Sequence, residues 1–443
     1  MPEAPIKSGQ SEITDFPGCF VNMSKDFHWD SPIFVNDSDL TMIHPKSGTP
    51  NYLFFQTCSN QQVFCHGGDL IISGHNTGQR SDILYCQGDD QFKDSNPNDS
   101  LDFGDLRCSQ KSKPSDDVNF GSCNFGRGKI IRLGYHLPHG LFEAIVELCH
   151  DEQIGTTVWA KSLVRHVLGA YKVKGLGKPS FSIGTSMQYV YDLSGVYKIS
   201  NQMKTFLEIF ENNWTLVQSF INRGNYLEKG HLAPRADQYY YPSQLATYFY
   251  SNSVPMWLSI NRGNWREVES LVRLTSKVLR VDFDIWTGGL GILTLSEKKI
   301  FLAKRKNDTL KNSSIVPVPE IVYKIVLDRS TNEGLVFLVI NNPYSEADVM
   351  DQLLCDELRQ YRQLTMKFAR KRFGYTYCCA PADFQNKAYR RYGLSLKPYD
   401  FSEVKNLKLP RWNGIGPRGF GLDDIDVDHE DVEDEDFEES DEK

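Results

Sequence analysis

The sequence has no long apolar run and no cysteines at the paired CxxC…CxxC spacing of a zinc site. The longest apolar stretch, GLVFLVI at Gly334 to Ile340, is much shorter than the roughly 20 residues of a membrane span. The first twenty residues, MPEAPIKSGQSEITDFPGCF, contain no apolar core of a signal peptide. These absences predict a protein with no membrane span and no structural zinc, and we expect a mature form from which a signal peptide has been removed.

Cysteines and glycosylation sequons are nevertheless frequent. Ten cysteines and six Asn-x-Ser/Thr sequons (Asn22, Asn36, Asn98, Asn213, Asn307 and Asn312) favour a secreted, disulfide-bonded glycoprotein. The alternative is a cytosolic protein with ten free thiols and six unused sequons. Seven cysteines precede residue 150 and three follow residue 354. If all ten pair, at least one disulfide must join the two regions.

The net charge of -8 is unevenly distributed. The last 21 residues, from Asp423, hold fourteen acids and one lysine, so the rest of the chain is net positive by 5. Residues 357–411 alone have thirteen Lys and Arg against four acids, interleaved with aromatic residues. Such a segment suits phosphates and bases, and Arg370, Lys371 and Arg372 are its most concentrated candidates for nucleic-acid binding. The alternative is a solvated helix face with aromatic residues in the core.

Three regions differ in composition. Residues 1–150 are rich in Gly, Asn, Asp and Ser with short apolar alternations, which predicts a β-rich module held by disulfides. Residues 155–412 contain three strand-like stretches and a predicted long helix at 347–372. Residues 413–443 are predicted to be a disordered acidic tail. Strands and helices intermix without regular alternation, so the expected class is α+β with a mainly antiparallel sheet flanked by helices.

The chemistry is concentrated in three stretches, KGHLAPRAD, SNSVP and NRGNWREVE. They contain His231, Asn252, Asn261 and Glu269. Phosphodiester hydrolysis needs a base that deprotonates water, and a histidine of near-neutral pKa suits that task. A lone Mg²⁺ accepts oxygen ligands and keeps several waters, so one asparagine carbonyl can suffice as its direct protein ligand. Helical spacing after Asn261 predicts an amphipathic helix, with Asn261 also at its N-cap.

In this order and spacing the three stretches resemble the DNA/RNA non-specific endonucleases of the ββα-metal fold. The resemblance continues through IWTGGLGILTL, VPVPEIVYKIVLD, VINNPY and GYTYCC, and covers roughly residues 155 to 400. These stretches look like the secreted arthropod branch, which includes insect double-stranded ribonucleases, duplex-specific nucleases and salivary nucleic-acid-binding relatives. The resemblance implies binding of DNA and RNA and a requirement for Mg²⁺, with Mn²⁺ as an alternative.

The resemblance also implies a role for each residue that matches the family motif. His231 stands at the general base and Asn261 at the direct metal ligand. Glu269 stands at the acid that orders water around the metal, and Asn252 at a supporting active-site asparagine. Lys229 occupies a position where the family usually has a phosphate-binding arginine.

Two positions depart from the family pattern. Lysine at Lys229 keeps the charge of arginine but loses its bidentate fork. Met256 stands where the family usually has a glutamine. A further phosphate-binding arginine expected upstream has no clear counterpart, Arg223 being the nearest, and Arg235 is a candidate to compensate. The motif favours a Mg²⁺-dependent, sugar-non-specific endonuclease with attenuated activity. The departures favour the alternative, a secreted nucleic-acid-binding protein on a nuclease scaffold with little or no cleavage.

Overall fold

The computed structural model describes residues 18–23, 25–36, 42–45, 52–95, 100–118, 120–137, 140–167, 179–306, 314–361 and 368–410. The predicted acidic tail lies outside these ranges. The helices in the described ranges are α1 (Ile199–Ile209), α2 (Trp214–Phe220), α3 (Tyr241–Leu245), α4 (Leu258–Ile260), α5 (Arg266–Leu279), α6 (Val349–Gln352) and α7 (Pro381–Tyr392). None of them combines the length and apolarity that a membrane-spanning helix requires.

Short strands dominate the N-terminal region. They are β1 (Gly18–Asn22), β2 (Ile33–Asn36), β3 (Tyr52–Gln56), β4 (Asn60–Phe64), β5 (Leu70–Ile72), β6 (His75–Asn76), β7 (Ser81–Gly88), β8 (Gln91–Lys93), β9 (Leu101–Asp102) and β10 (Leu106–Cys108). They form a five-stranded sheet in the order β2-β4-β7-β8-β9, a three-stranded sheet β10-β5-β6 and the pair β1-β3. Two disulfides, Cys19–Cys86 and Cys65–Cys108, lie in the core between them. The β-rich character predicted for this region is confirmed.

A ten-stranded sheet forms the centre of the rest of the molecule. Its main path is β11 (Ser115–Asp117), β13 (Gly128–His136), β14 (Phe142–Asp151), β15 (Thr156–Val164), β18 (Phe283–Leu290), β23 (Ile321–Asp328), β24 (Glu333–Ile340) and β25 (Thr376–Cys379), with β12 (Ser122–Cys123) on β13 and β26 (Lys405–Asn406) on β24. Every pairing in it is antiparallel except that of β24 with β26. Three two-stranded pairs complete the fold: β16 (Leu227–His231) with β17 (Ser253–Trp257), β19 (Thr294–Leu295) with β20 (Lys298–Lys299), and β21 (Phe301–Lys304) with β22 (Ser314–Pro317). The α+β class with a mainly antiparallel sheet is confirmed.

The large sheet is covered on both faces, which explains why β24 is a nearly continuous apolar run and why β23 is mostly apolar, interrupted by Lys324, rather than alternating. Alternate residues of β13 point to opposite sides. Ile131 and Leu133 pack in the core that contains α5, whereas Ile130 packs in the core that contains α7. Helices α5 and α7 therefore lie on opposite faces of one sheet.

The predicted long helix at 347–372 is wrong in its described part. Within the described part, only α6, four residues long, is α-helical, and short 3-10 turns occur at Arg359–Tyr361 and Lys371–Phe373. Asp348 caps α6 by accepting a hydrogen bond from the Met350 amide at 2.9 Å. The following segment is held extended against β25 by the Cys355–Cys379 disulfide and by the Leu358 amide, which donates to the Cys378 carbonyl. These tertiary links override the local helical pattern.

The predicted disulfide between the N-terminal and C-terminal regions is also wrong. The pairs are Cys19–Cys86, Cys65–Cys108, Cys123–Cys149 and Cys355–Cys379, and Cys58 and Cys378 are free. The parity argument fails because one cysteine of each set stays reduced. Cys378 is buried, and burial raises the pKa of its thiol well above the ordinary range.

The division of the chain into regions 1–150, 155–412 and 413–443 stays a prediction, but strand pairing bears on it. Strands β11 to β14 precede or span residue 150 and belong to the large sheet. The N-terminal core also continues into that sheet and α3. Tyr240 donates from its hydroxyl to the Ile43 carbonyl at 2.5 Å, and Tyr135 donates to the Pro242 carbonyl at 2.7 Å. We therefore propose that the N-terminal module ends before about residue 112, with its core packed directly against the large sheet and the residues that flank α3.

Candidate active site

His231 and Lys229 lie on the more exposed side of the β16-β17 pair. The register sets His231 opposite Ser253 and Lys229 opposite Pro255. Alternation along β16 turns Glu228 and Gly230 to the buried side. A Cβ on Gly230 would lie 2.9 Å from the Cβ of Met256, so only glycine permits this close approach of the two strands.

Aromatic rings surround both side chains. The His231 ring packs against Phe181, with centroids 4.9 Å apart, and edge-on against Tyr248 at 5.0 Å. The Lys229 ammonium lies 5.2 Å from the centroid of Phe181, 5.4 Å from that of Tyr197 and 6.0 Å from that of Tyr250. Ring faces attract a cation, so the three rings hold the lysine charge beside the histidine.

Asn252 holds the chain that follows His231. Its side-chain oxygen accepts from the Ala233 amide at 3.0 Å, and its Nδ2 donates to the carbonyls of Ala233 and Thr247 at 2.9 and 2.8 Å. The side chain is fully buried. Asn252 is therefore placed to fix the loop after His231, rather than to contact a substrate itself.

Asn261 and Glu269 lie on one helical segment that begins at Leu258. The predicted N-cap role of Asn261 is wrong, because α4 precedes it and Trp257 is the N-cap residue. A wide π-type turn, Asn261–Trp265, joins α4 to α5, and Gly263 inside it has a non-helical ψ of -119°. Such turns insert an extra residue and are frequent at functional sites. Glu269 follows in the first turn of α5 and is half-buried.

A buried carboxylate orients Asn261. Glu228 accepts from the Asn261 Nδ2 at 2.9 Å through one oxygen, and from the Arg262 Nε at 3.0 Å through the other. Its side chain is only 1% exposed. Because the side-chain nitrogen of Asn261 donates to Glu228, the side-chain oxygen of Asn261 points away from Glu228. Sequence reasoning missed Glu228. An acidic residue on the strand face that alternation predicts to be buried is the signal that could have found it.

The strands β16 and β17 and the helical segment after them form a ββα unit, as the resemblance predicted. A second buried ion pair ties this unit to the loop carrying Arg235. Arg273 donates from Nη1 to the Asp237 carboxylate at 2.9 Å, and Arg235 donates from Nε to Gln244 at 3.1 Å. Arg273 lies one helical turn after Glu269, and this i, i+4 spacing is the sequence signal that places both on one face of α5.

Lys324, on β23, is buried and contacts the chain that follows His231. Its ammonium donates to the Thr287 hydroxyl at 2.8 Å and to the Leu232 carbonyl at 3.4 Å, and lies 5.2 Å from the Trp265 ring centroid. Burial lowers the pKa of Lys324, and the nearby Glu269 carboxylate opposes that shift. This lysine contacts the residue next to His231 and was not found from the sequence.

The basic loop at Arg370–Arg372 is brought next to the Asn261 turn. Asn264 donates from Nδ2 to the Gly374 carbonyl at 2.5 Å, and Phe373 packs against Gly263, where an added Cβ would lie 3.0 Å from it. Arg370 and Arg372 are exposed, whereas the Lys371 ammonium donates to the Ala347 carbonyl at 2.6 Å.

The donor set limits which metals fit. No group of three or more His, Cys, Asp or Glu side chains suitable for a metal occurs in the part of the chain that the structure describes. What the ββα unit offers is the oriented carbonyl oxygen of Asn261 and, eight residues on, the carboxylate of Glu269. Oxygen donors in small number fit Mg²⁺, which keeps most of its waters.

Comparisons with known proteins give the family of this chain. The family model for DNA/RNA non-specific endonucleases matches residues 127–384. A salivary endonuclease of Lutzomyia longipalpis is 28% identical over 342 residues, covering 74% of this chain and 77% of that protein. Salivary protein Tsal2A of Glossina morsitans morsitans is 23% identical over 377 residues, covering 83% of this chain and 90% of that protein.

Among solved structures, a crystal structure of an EndoG/EndoGI complex matches with a TM-score of 0.29 and 15% identity, covering 52% of this chain and 85% of that one. The family assignment depends on the match to the family model, which spans more than half of the residues. The chain belongs to the DNA/RNA non-specific endonuclease family.

Proposed function

We propose that this protein is a Mg²⁺-dependent endonuclease that hydrolyses phosphodiester bonds in both DNA and RNA. The observation that carries the proposal is the hydrogen bond from Asn261 to the buried Glu228. It fixes one oxygen donor on the same ββα unit as His231. Family membership supports the reaction class, and the exposed Arg370 and Arg372 near the ββα unit support a polyanionic substrate.

His231 is the proposed general base. Its ring is only half-buried, and Phe181 and Tyr248 restrict its orientation. A neutral imidazole in this position takes the proton of an attacking water. Asn252 and Lys324 hold the backbone immediately after His231, so they act as positioning residues.

The residues present fit a bound Mg²⁺ held by the Asn261 carbonyl oxygen, with Mn²⁺ as an alternative of similar chemistry. When bound, the ion supplies stabilisation of negative charge on the phosphate and on the leaving 3′-oxygen. Glu228 keeps the Asn261 oxygen turned outward. Glu269 is proposed to order water near that oxygen. Lys229 is proposed to contact the phosphate.

We further propose that catalysis is attenuated. Lysine at Lys229 offers no bidentate fork, and its ammonium lies among the rings of Phe181, Tyr197 and Tyr250. Met256 is fully buried in the core, so its departure from the family pattern acts through packing against Gly230 and not through substrate contact. Of the two departures, Lys229 alone favours the second candidate function, a nucleic-acid-binding protein with little or no cleavage.

Arg235, Arg370, Lys371 and Arg372 are the proposed contacts to the nucleic-acid backbone. Arg370 and Arg372 are the stronger candidates because both are exposed, whereas Lys371 is committed to a backbone carbonyl. Four disulfides and relatives named as salivary support secretion. Glycosylation at the sequons is part of the same proposal.

Cleavage of duplex DNA and duplex RNA with Mg²⁺ and with a chelator tests the proposal. We expect both polymers to be cut with Mg²⁺ and neither with chelator. Binding of both polymers without cleavage in either condition would support the second candidate instead.

A further inference from the structure

The basic C-terminal segment divides between the two faces of the large sheet. Arg370–Arg372 lie beside the Asn261 turn, on the face that α5 covers. Helix α7 packs on the opposite face through Phe384 and Ala388, and the Phe384 ring lies 4.9 Å from that of Tyr323. The arginines at the end of α7 are therefore on the other side of the sheet from His231, and the proposed active site does not use them.

Two large aromatic side chains are exposed at the end of α7. Phe125 is 61% exposed and Tyr389 is 54% exposed, with ring centroids 5.9 Å apart. Phe125 has φ 59° and ψ 33°, a left-handed conformation that bulky residues rarely adopt. The neighbouring contacts hold it there. Cys123 is disulfide-bonded to Cys149, and Asn124 accepts from the Ser395 amide at 3.0 Å. The loop is thus built so that the Phe125 ring faces solvent.

Four exposed cationic side chains lie on the same two loops and on the end of α7: Arg127, Arg390, Arg391 and Lys397. Arg127 donates from Nη2 to the Gly393 carbonyl at 2.8 Å, which joins the two loops. Within the described ranges, none of the four forms an ion pair with a carboxylate. Their charge is therefore available to an anionic partner.

A cavity of about 990 Å³ opens beside this patch, with Phe125 and Lys397 among its lining residues. Arg132, Lys161 and Tyr399 also line it. Arg132 is paired with Glu147 at 2.9 Å, and the Lys161 ammonium lies 4.5 Å from the Tyr399 ring centroid and donates to its hydroxyl at 3.1 Å. The cavity thus combines a ring face with hydrogen-bonding groups, which suits an unpaired planar base.

We propose that Phe125, Tyr389, Arg127, Arg390, Arg391 and Lys397 form a second binding surface, specific for single-stranded nucleic acid, on the face of the sheet opposite His231. Exposed rings stack on the faces of unpaired bases, and the cations contact the phosphates between them. A duplex hides its base faces, so it gains only the electrostatic part. A strand held here raises the local concentration of its other segments at the proposed active site.

Binding of a 30-nucleotide oligothymidylate, measured by fluorescence anisotropy in EDTA, tests this surface without any cleavage. The intactness of the oligonucleotide is checked on a gel. Phe125→Ala with Tyr389→Ala should weaken binding at least about fivefold, the lower end for loss of one base–aromatic stack, and should leave a blunt duplex of equal length nearly unaffected. Tyr191→Ala is the matched control, since Tyr191 is 64% exposed and lies outside the patch.

Charge removal gives an independent readout. Arg390→Gln with Arg391→Gln should reduce the slope of log K against log[salt] by about 1.4 for the single strand. Lys299→Gln, which removes an exposed charge on β20 outside the proposed surface, should leave the slope unchanged. Cleavage of a tetranucleotide, too short to engage both surfaces, should be the same in all these variants. Affinity and salt slope are measured in EDTA without cleavage, so failure of the proposed active site leaves these two measurements unaffected.

Three outcomes overturn the proposal. The first is unchanged oligothymidylate affinity in the aromatic double variant and in Tyr389→Ala alone, which changes one exposed helix position and leaves the Phe125 loop intact. The second is an equal loss for single strand and duplex. The third is heparin binding that depends on Arg390 and Arg391 while oligothymidylate binding depends on neither ring, which would assign the patch to sulfated polysaccharide.

Discussion

The side-chain amide of Asn261 donates a hydrogen bond to the carboxylate of Glu228 over 2.9 Å, across 33 residues of sequence. The carboxylate is buried and also holds the Arg262 guanidinium. The charged carboxylate accepts hydrogen bonds from both side chains and can only accept. A neutral group in its place would no longer fix the orientation of the asparagine amide. The outward direction of the Asn261 oxygen therefore depends on Glu228.

Glu228→Gln should raise the Mg²⁺ concentration for half-maximal cleavage by roughly 10- to 100-fold, the usual range when a residue that orients a metal ligand is changed. A carboxamide presents either an oxygen or an NH₂ to Asn261, so the asparagine loses its fixed orientation. The measurement is a Mg²⁺ titration of cleavage rate, with Glu297→Gln, at an exposed carboxylate in the turn between β19 and β20, as the control. An unchanged titration midpoint would show that Glu228 does not orient a metal ligand.

Lys229→Arg should increase the cleavage rate at saturating substrate by roughly tenfold, a fraction of the effect of a full transition-state donor. Arginine restores the bidentate fork and still stacks on the rings of Phe181 and Tyr250. Met256→Gln should give no increase and should lower stability by about 1–3 kcal/mol, because the amide would be buried against Gly230. Tighter binding by Lys229→Arg without faster turnover contradicts the proposed transition-state role.

Duplex binding should depend on the exposed arginines of the Arg370–Arg372 loop. Arg370→Gln and Arg372→Gln should each reduce the slope of log K against log[salt] by about 0.9. Lys371→Gln should do less, because its ammonium is already committed to the Ala347 carbonyl. An equal change of slope in all three variants, or no change in any of them, would contradict the assignment of this loop to the binding surface.

Acidification should destabilise the protein through His150. This ring contacts the Thr157 and Tyr189 hydroxyls, and burial, with a smaller contribution from Lys129, lowers its pKa to about 4. The unfolded chain binds the proton near pH 6.5 while the folded protein stays neutral, so stability is complete above pH 6.5 and falls toward pH 4.

Between pH 7 and pH 5 the free energy of unfolding should fall by about 2 kcal/mol from this one group. Burial lowers the pKa of His44 to about 3, which acts in the same direction. Urea denaturation at the two pH values measures the change. His150→Gln should be less stable at pH 7 but should show a smaller loss between pH 7 and pH 5. The same pH dependence in the variant as in the parent would contradict this account.

Local sequence pattern was sufficient for part of the fold. The apolar runs at β23 and β24 and the amphipathic pattern of α5 predicted the right elements, because burial on both faces or on one stripe has a characteristic period. The helix predicted at 347–372 failed because the Cys355–Cys379 disulfide holds that segment extended, a constraint that has no local signature.

The site was predictable only in its linear motifs. His231, Asn252 and Asn261 lie within about thirty residues and keep the family spacing. The contact of Glu228 with Asn261 and that of Lys324 with Leu232 join strands and helices far apart in the chain. Nothing in a single sequence specifies such pairs. For the same reason, the sequence did not predict that Arg370–Arg372 lie next to the Asn261 turn, or that α7 lies on the opposite face of the large sheet.

The most direct test of the account compares the parent protein with His231→Ala on duplex DNA in Mg²⁺, with affinity measured in parallel. The imidazole is proposed to activate water, but a single ring adds little to the binding of a long polyanion. His231→Ala should lose at least about 10²-fold in cleavage rate while its affinity and salt slope stay unchanged. His75→Ala, an exposed histidine on β6, is the matched control and should cut like the parent. A parent protein that cuts no faster than His231→Ala would contradict the account and leave nucleic-acid binding as the function.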